Sequence, residues 1–165
     1  MKTVYLVRHA KSSWSDLSLD DFERPLNKRG KRDAPFMSKM LRGLGVPVDA
    51  IVTSPARRAL TTAEHFRDEF GLPDEHFIRD KNLYHAYSGE ILRIINGISD
   101  AYQTVLVFGH NPGFTELANA FAHDYLPNVP TCGIVKLEST AEEWKDFSQK
   151  NTRRRGFYYP KQFFS

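Results

Sequence analysis

Three short segments of this chain place imidazole and guanidinium groups where they could act together. Arg8-His9 follows the apolar run TVYLV (3–7). DAIVTS (49–54) ends in Ser54 and is followed by Pro55, Arg57 and Arg58. TVLVFGH (104–110) ends in Gly109-His110, with Asn111 next. A neutral imidazole is a nucleophile or a base, and a guanidinium fork matches the oxygens of a phosphoryl group. If the three runs are neighbouring strands, two imidazoles and at least two guanidinium groups converge on one crevice. Two helix N-termini lie beside it, and these also favour anions. The chemistry this predicts is a phosphate pocket holding two histidines.

Such positioning requires a sheet. The three runs, together with CGIVKLES (132–139), are short and rich in β-branched residues, as strands buried on both faces should be. HFIRD (76–80) and GFYYP (156–160) are weaker strand candidates. Helical periodicity fills the intervals. Asn27 caps a helix to about Leu44 with Met37, Met40, Leu41 and Leu44 on one face, and Pro35 is expected to kink or restart it. Ser54-Pro55 reads as an N-cap and first turn, followed by the stripe Ala59, Ala63, Phe66, Phe70 and a stop at Gly71. Ser88 opens a helix carrying Ile91, Leu92, Ile95 and Ile98. Asn111-Pro112 repeats the cap-plus-proline signal ahead of Phe114, Leu117, Ala118 and Phe121. Alternating strands and helices predict an α/β fold: three αβα layers, a mostly parallel central sheet and helices on both faces. In such sheets the ligand site lies beyond the carboxyl ends of the strands.

Composition narrows the class. At 165 residues the chain is expected to be one domain, residues 1–165. Its 23 Lys and Arg against 20 Asp and Glu leave only +3, too little for a nucleic-acid signature. The apolar run before Arg8 is shorter than the roughly 7–15 residues of a secretory core or the roughly 20 of a membrane span. One cysteine, Cys132, excludes an internal disulfide. The expectation is a cytoplasmic protein, with monomer as the default and no membrane partner.

The residues also carry a family resemblance. LVRHAKSSW resembles the Arg-His-Gly opening motif of the histidine phosphatase superfamily, also called phosphoglycerate-mutase-like. TSPARRALTTA matches its Ser-Pro-x-x-Arg-Ala-x-x-Thr-Ala segment, which puts the second arginine at Arg58 and not at Arg57. FGHNPG matches its Gly-His segment, with the second histidine at His110. Ala10, Lys11-Ser12, the RPLNKRG run and the His-Asn-Pro-Gly form are most similar to the short SixA-like phosphohistidine phosphatase branch. The resemblance spans Val4 to about Pro160.

It implies that His9 attacks phosphorus and becomes a phosphohistidine, which water then hydrolyses. Arg8, Arg58 and His110 would hold the equatorial oxygens, and Ser15 falls where many relatives carry a phosphate-touching Asn. Asn111 reads first as a helix cap and second as a phosphate contact. No metal and no cofactor are implied. Larger relatives carry an acid on an insertion that protonates the leaving group. Here the interval from Arg58 to His110 has no long insertion, and Glu69, Glu75 and Glu90 lack motif support. His85, in LYHAYSGE, is the candidate substitute donor. A missing acid favours a phosphoryl group on nitrogen, so the expected partner is a phosphorylated protein carrying phosphohistidine. The alternatives are a small phosphorylated substrate, as for a general phosphoester phosphatase, and a phosphate-recognising module without turnover.

Other features read more plainly. His65, His76 and His123 show no metal-ligand spacing, and Cys132 reads as a small buried hydrophobe. Arg153-Arg154-Arg155 before GFYYP reads as a turn with solvated arginines leading into an edge strand. Attraction to acidic phosphoprotein surfaces comes next, and nucleic acid last.

Overall fold

The apolar run near the N-terminus forms β1 (Lys2–Arg8) of a six-stranded sheet in the computed structural model, which describes residues 1–164. The other strands are β2 (Ala50–Thr53), β3 (Phe77–Arg79), β4 (Thr104–Gly109), β5 (Ile134–Ser139) and β6 (Thr152–Tyr158), in the spatial order β3-β2-β4-β1-β5-β6. The first four in that order are parallel; β5 and β6 add an antiparallel edge. β4 therefore lies between β1 and β2, bonded to both.

Four helices cover the sheet: α1 (Lys28–Gly43), α2 (Arg57–Phe70), α3 (Ser88–Asn96) and α4 (Gly113–Ala120). The apolar run Val4–Val7 within β1 follows from this layering. Val4 and Leu6 point into a core with Ile91 and Ile95 of α3 and Phe114 and Leu117 of α4. Tyr5 and Val7 point into a second core with Met37 and Leu41 of α1 and Phe66 of α2. A strand's side chains alternate between faces, so only a strand buried on both can be apolar throughout. Among the described residues no helix is long and apolar enough to cross a membrane.

Several local expectations are corrected. Helix α1 runs unbroken through Pro35; the missing N–H frees one carbonyl, and Ala34, Met37 and Leu41, fully buried around it, hold the helix on course. Helix α2 starts two residues after Pro55, with Ala56 as its N-cap; Ser54 Oγ accepts from the Ala56 N–H but is drawn away to the site described below. Pro112, not Asn111, is the N-cap of α4, although Asn111 Oδ1 does accept from the Thr115 N–H and hydroxyl. At the C-terminal edge the arginine run lies inside β6, not in a turn before it. Arg153 and Arg155 are exposed as expected, but the Arg154 side chain is largely covered and pairs with Asp124 at 2.8 Å.

Candidate active site

Parallel register brings the two histidines together. Arg8 of β1 pairs with Gly109 of β4, so His9 and His110 occupy the same level one step beyond the strand ends. The His9 N–H donates to the Gly109 carbonyl at 3.1 Å, and the two rings lie 5.3 Å apart between centroids. On the other side of β4, Thr53 pairs with Phe108, which puts Ser54 within reach of His110: Nε2 and Oγ are 2.8 Å apart. Gly109 is required here, because a Cβ would enter the ring of Phe114 beneath it.

The state of His9 follows from its partner. Its Nδ1 is 2.7 Å from the Ala10 carbonyl oxygen, which can only accept, so Nδ1 carries the proton and Nε2 keeps a lone pair. Burial drives its pKa down to about 3 despite that hydrogen bond, with Arg58, Arg8 and Arg24 pushing the same way. His110 is likewise lowered to about 3, by burial and then by His9 and Arg58. Both rings are neutral at neutral pH, and His110 Nδ1 is buried without a partner.

Around His9 lies a cleft of about 170 Å³ lined by Arg8, Lys11, Ser12, Trp14, Arg24, Arg58 and Thr131. Four of these are cations and none is an acid. The guanidinium groups are fixed from behind. Arg8 Nη1 donates to the Val129 carbonyl at 2.9 Å, while its Nε is buried and unpartnered. Arg58 donates to the Asp21 carbonyl at 2.7 Å and to its carboxylate at 3.0 Å. Arg24 donates to Asp21 Oδ1, to the Ser13 carbonyl and to Ser12 Oγ, with its guanidinium over the Trp14 ring. Tyr84 adds a third donor to Asp21 at 2.7 Å. Burial alone would raise the Asp21 carboxyl, but the donors Tyr84, Arg24 and Arg58 hold it far below the usual carboxylate range. Burial and the bond to that anion raise Tyr84 to about 12.

The loop after β1 is held in place by two contacts from the helices. The Ala10 N–H donates to Thr62 Oγ1, whose own proton goes to the Arg58 carbonyl at 2.7 Å, joining the loop to α2. The start of α1 packs on the same loop: Asn27 N–H donates to the Lys11 carbonyl, and a Cβ on Gly30 would collide with that carbonyl.

Of the residues predicted for the site, Arg8, His9, Arg58 and His110 come together at one strand end. Ser15 does not line the cleft; it is exposed, with its hydroxyl 2.8 Å from that of Ser13. The Asn111 amide is committed to Asn128 and Val129 and serves the loop, not the cleft. His85 is exposed and stacks on Tyr84 at 3.8 Å, one ring further out than His110. Arg57 is exposed, and Cys132 is fully buried. Among the described residues no group of three or more His, Cys, Asp or Glu is placed to hold a metal. Sequence reasoning missed Arg24, Asp21, Tyr84 and Thr131. The RPLNKRG run contained Arg24, but nothing local says that its side chain turns back toward Ser12.

Comparison with known proteins agrees with this geometry. The model of the histidine phosphatase superfamily (branch 1) matches residues 4–91. An uncharacterized protein of Mycobacterium tuberculosis is 33% identical over 165 residues, covering 94% of this chain and all of the relative. The chain therefore belongs to the histidine phosphatase superfamily. Within it the SixA-like branch is the match: the structure of a proposed SixA phosphohistidine phosphatase of Agrobacterium tumefaciens superposes with a TM-score of 0.81 at 26% identity, covering 96% of this chain and 98% of that one. The protein histidine phosphatase SixA in complex with tungstate has the same fold, with a TM-score of 0.81 at 21% identity over 97% of this chain and 98% of that one.

Proposed function

We propose that this chain hydrolyses phosphohistidine on proteins through a covalent intermediate on His9. The observation that carries the reading is the pairing of a neutral His9, its Nε2 lone pair free, with a cationic cleft that contains no acid. The Nε2 lone pair attacks phosphorus, the bond from phosphorus to the substrate nitrogen breaks, and the departing imidazole keeps or takes up a proton from water. Water then attacks the phosphoryl group on His9, the P–Nε2 bond breaks, and phosphate leaves with the neutral imidazole restored. Arg8, Arg24 and Arg58 face the charge that spreads over the equatorial oxygens. Removing one such donor costs about 3–4 kcal/mol of barrier.

The leaving group supplies the substrate argument. An alkoxide needs a proton as it departs, and general acid help is worth about 100–10,000-fold. Asp21 is the carboxyl group nearest the chemistry by its bonds to Arg58, yet those bonds hold it ionised, so it has no proton to give. A phosphorylated imidazole departs as a neutral or readily protonated nitrogen and places no such demand. The reading takes the chain as a single cytoplasmic domain that acts as a monomer without metal or cofactor.

The test compares kcat/KM at neutral pH for a phosphohistidine and a phosphoserine peptide of one sequence, with His9→Ala as the control for contaminating phosphatase. A phosphohistidine preference above about tenfold, or 1.4 kcal/mol, is expected. Equal turnover would sink the assignment and make His85 the next residue to substitute. Phosphate binding without turnover of either peptide would mean a recognition module.

A further inference from the structure

Beside the catalytic cleft lies a second and larger groove, about 630 Å³, formed by the start of α1, the Pro130-Thr131 turn and the C-terminal segment from Tyr159 to Phe164. The two adjoin at one residue. Thr131 lines both, and Arg29 in the groove donates to the Thr131 hydroxyl at 3.1 Å. Its lining is part apolar, from Pro130, Tyr159, Pro160 and Phe164, and part cationic, from Arg29 and Arg32 of α1 and Lys161 of the C-terminal segment.

The charge of the groove is unbalanced. Its single carboxylate, Asp33, is fully buried and already engaged by Arg29 and Arg32. The Arg32 guanidinium also lies over the Phe164 ring at 4.0 Å, which sets its charge against the apolar part of the lining. Lys161 is exposed and pairs with no acidic side chain among the described residues, and the same is true of Lys28 and Lys31 on the outer turns of α1. A phosphate ion has no use for an aromatic wall. A polypeptide with acidic and apolar side chains matches both parts of the lining, and the shared Thr131 sets it beside the group that reacts.

We propose that this groove docks the stretch of substrate protein flanking its phosphohistidine, and that it selects segments carrying acidic and apolar side chains. The proposal rests on the phosphohistidine reading above and gives it a specificity determinant outside the reacting atoms. It also separates two tasks: the cleft recognises the phosphoryl group, and the groove recognises the protein that bears it.

The experiment uses two phosphohistidine peptides of equal length, one flanked by Asp, Glu and Leu, the other by Ser and Lys, with phosphoramidate as a small donor that cannot reach the groove. The acidic peptide is expected to show a higher kcat/KM by about fivefold or more, an advantage that fades with salt. Lys161→Glu should erase or invert that preference and Phe164→Ser should reduce it, both leaving phosphoramidate turnover unchanged, which also reports that the variants fold. Equal kcat/KM for the two peptides in the parent protein, or a preference unmoved by Lys161→Glu, overturns the groove alone. Turnover of phosphoramidate but of neither peptide overturns the phosphohistidine reading, and the groove with it. A single-stranded oligonucleotide that binds the parent protein but not Lys161→Glu, with no preference between the peptides, would overturn the proposal and reassign the groove to nucleic acid.

Discussion

Arg58 and Asp21 hold one another through both backbone and side chain: the guanidinium donates at 2.7 Å to the carbonyl and at 3.0 Å to the carboxylate of the same residue. Because Arg24 and Tyr84 donate to that carboxylate too, one anion braces two of the cations that line the cleft. Asp21 thus acts as a positioning residue. It balances charge behind the site while leaving the cleft side positive.

Replacing that anion gives the first prediction. Asp21→Asn keeps the shape but withdraws the charge that aims Arg58 and Arg24, and kcat should fall by about tenfold or more. The folded carboxyl lies well below its ordinary 3.8, so its stabilisation is present above about pH 4 and is lost as pH falls below it. The variant should therefore show a shallower loss of stability in acid than the parent. Identical acid limbs in urea titrations would remove Asp21 from this role.

The histidine pair sets a different pH window. Both folded pKa values lie near 3, against 6.5 for an ordinary imidazole, chiefly because the rings are buried. The unfolded chain binds protons in that interval that the folded chain refuses, so stability should drop as pH falls from about 6.5 toward 3. Two sites allow a slope of at most about 2.7 kcal/mol per pH unit. His110→Asn should lower the slope by up to half in urea denaturation followed across that range. A slope unchanged by the substitution would mean that His110 is already protonated in the folded protein.

Thr62 offers a test of the loop's anchorage. Thr62→Val preserves volume but takes away the acceptor for the Ala10 N–H and the donor to the Arg58 carbonyl. Leaving such a buried group unsatisfied costs about 1–3 kcal/mol. Denaturant midpoints should fall by that amount, and kcat should fall with them, since Ala10 also orients His9 through its carbonyl. A loss of stability with activity intact would separate the two functions of Ala10.

Gly30→Ala places a methyl group against backbone, where no rotamer can relieve it. Either α1 backs away from the loop or the loop shifts and carries the His9 cleft with it. A loss of about 1–3 kcal/mol is expected, and weaker binding of an oxyanion such as tungstate, read by calorimetry, should accompany it. Gly43, in the same helix with open space around it, is the matched control, and Gly43→Ala should be harmless.

Much of this was legible in the chain itself. Apolar runs that end abruptly in Arg8-His9, Ser54 and His110 disclose strands and their carboxyl ends at once, because burial on both faces keeps the middle of each strand free of charge. Helix starts were less legible. Ser54 was free in sequence to cap α2, but in three dimensions His110 competes for its hydroxyl. Arg24 in the cleft and Asp21 behind it could not be placed at all, since the isolated bridge between Ser12 and Leu26 that folds one loop back on another has no local signature. Arg154 failed for a related reason: its partner Asp124 lies thirty residues away, and no local pattern marks the pair.

The position of β4 between β1 and β2 has a consequence for how the molecule comes into being. His9 and Arg58 are attached to strands that share no edge until Thr104–Gly109 slides between them. A ribosome that has delivered the first hundred residues has therefore made His9 and the arginines around it, yet has nothing to hold them side by side. Such long-range closure is slow, and it ties the assembly of the cleft to the arrival of β4.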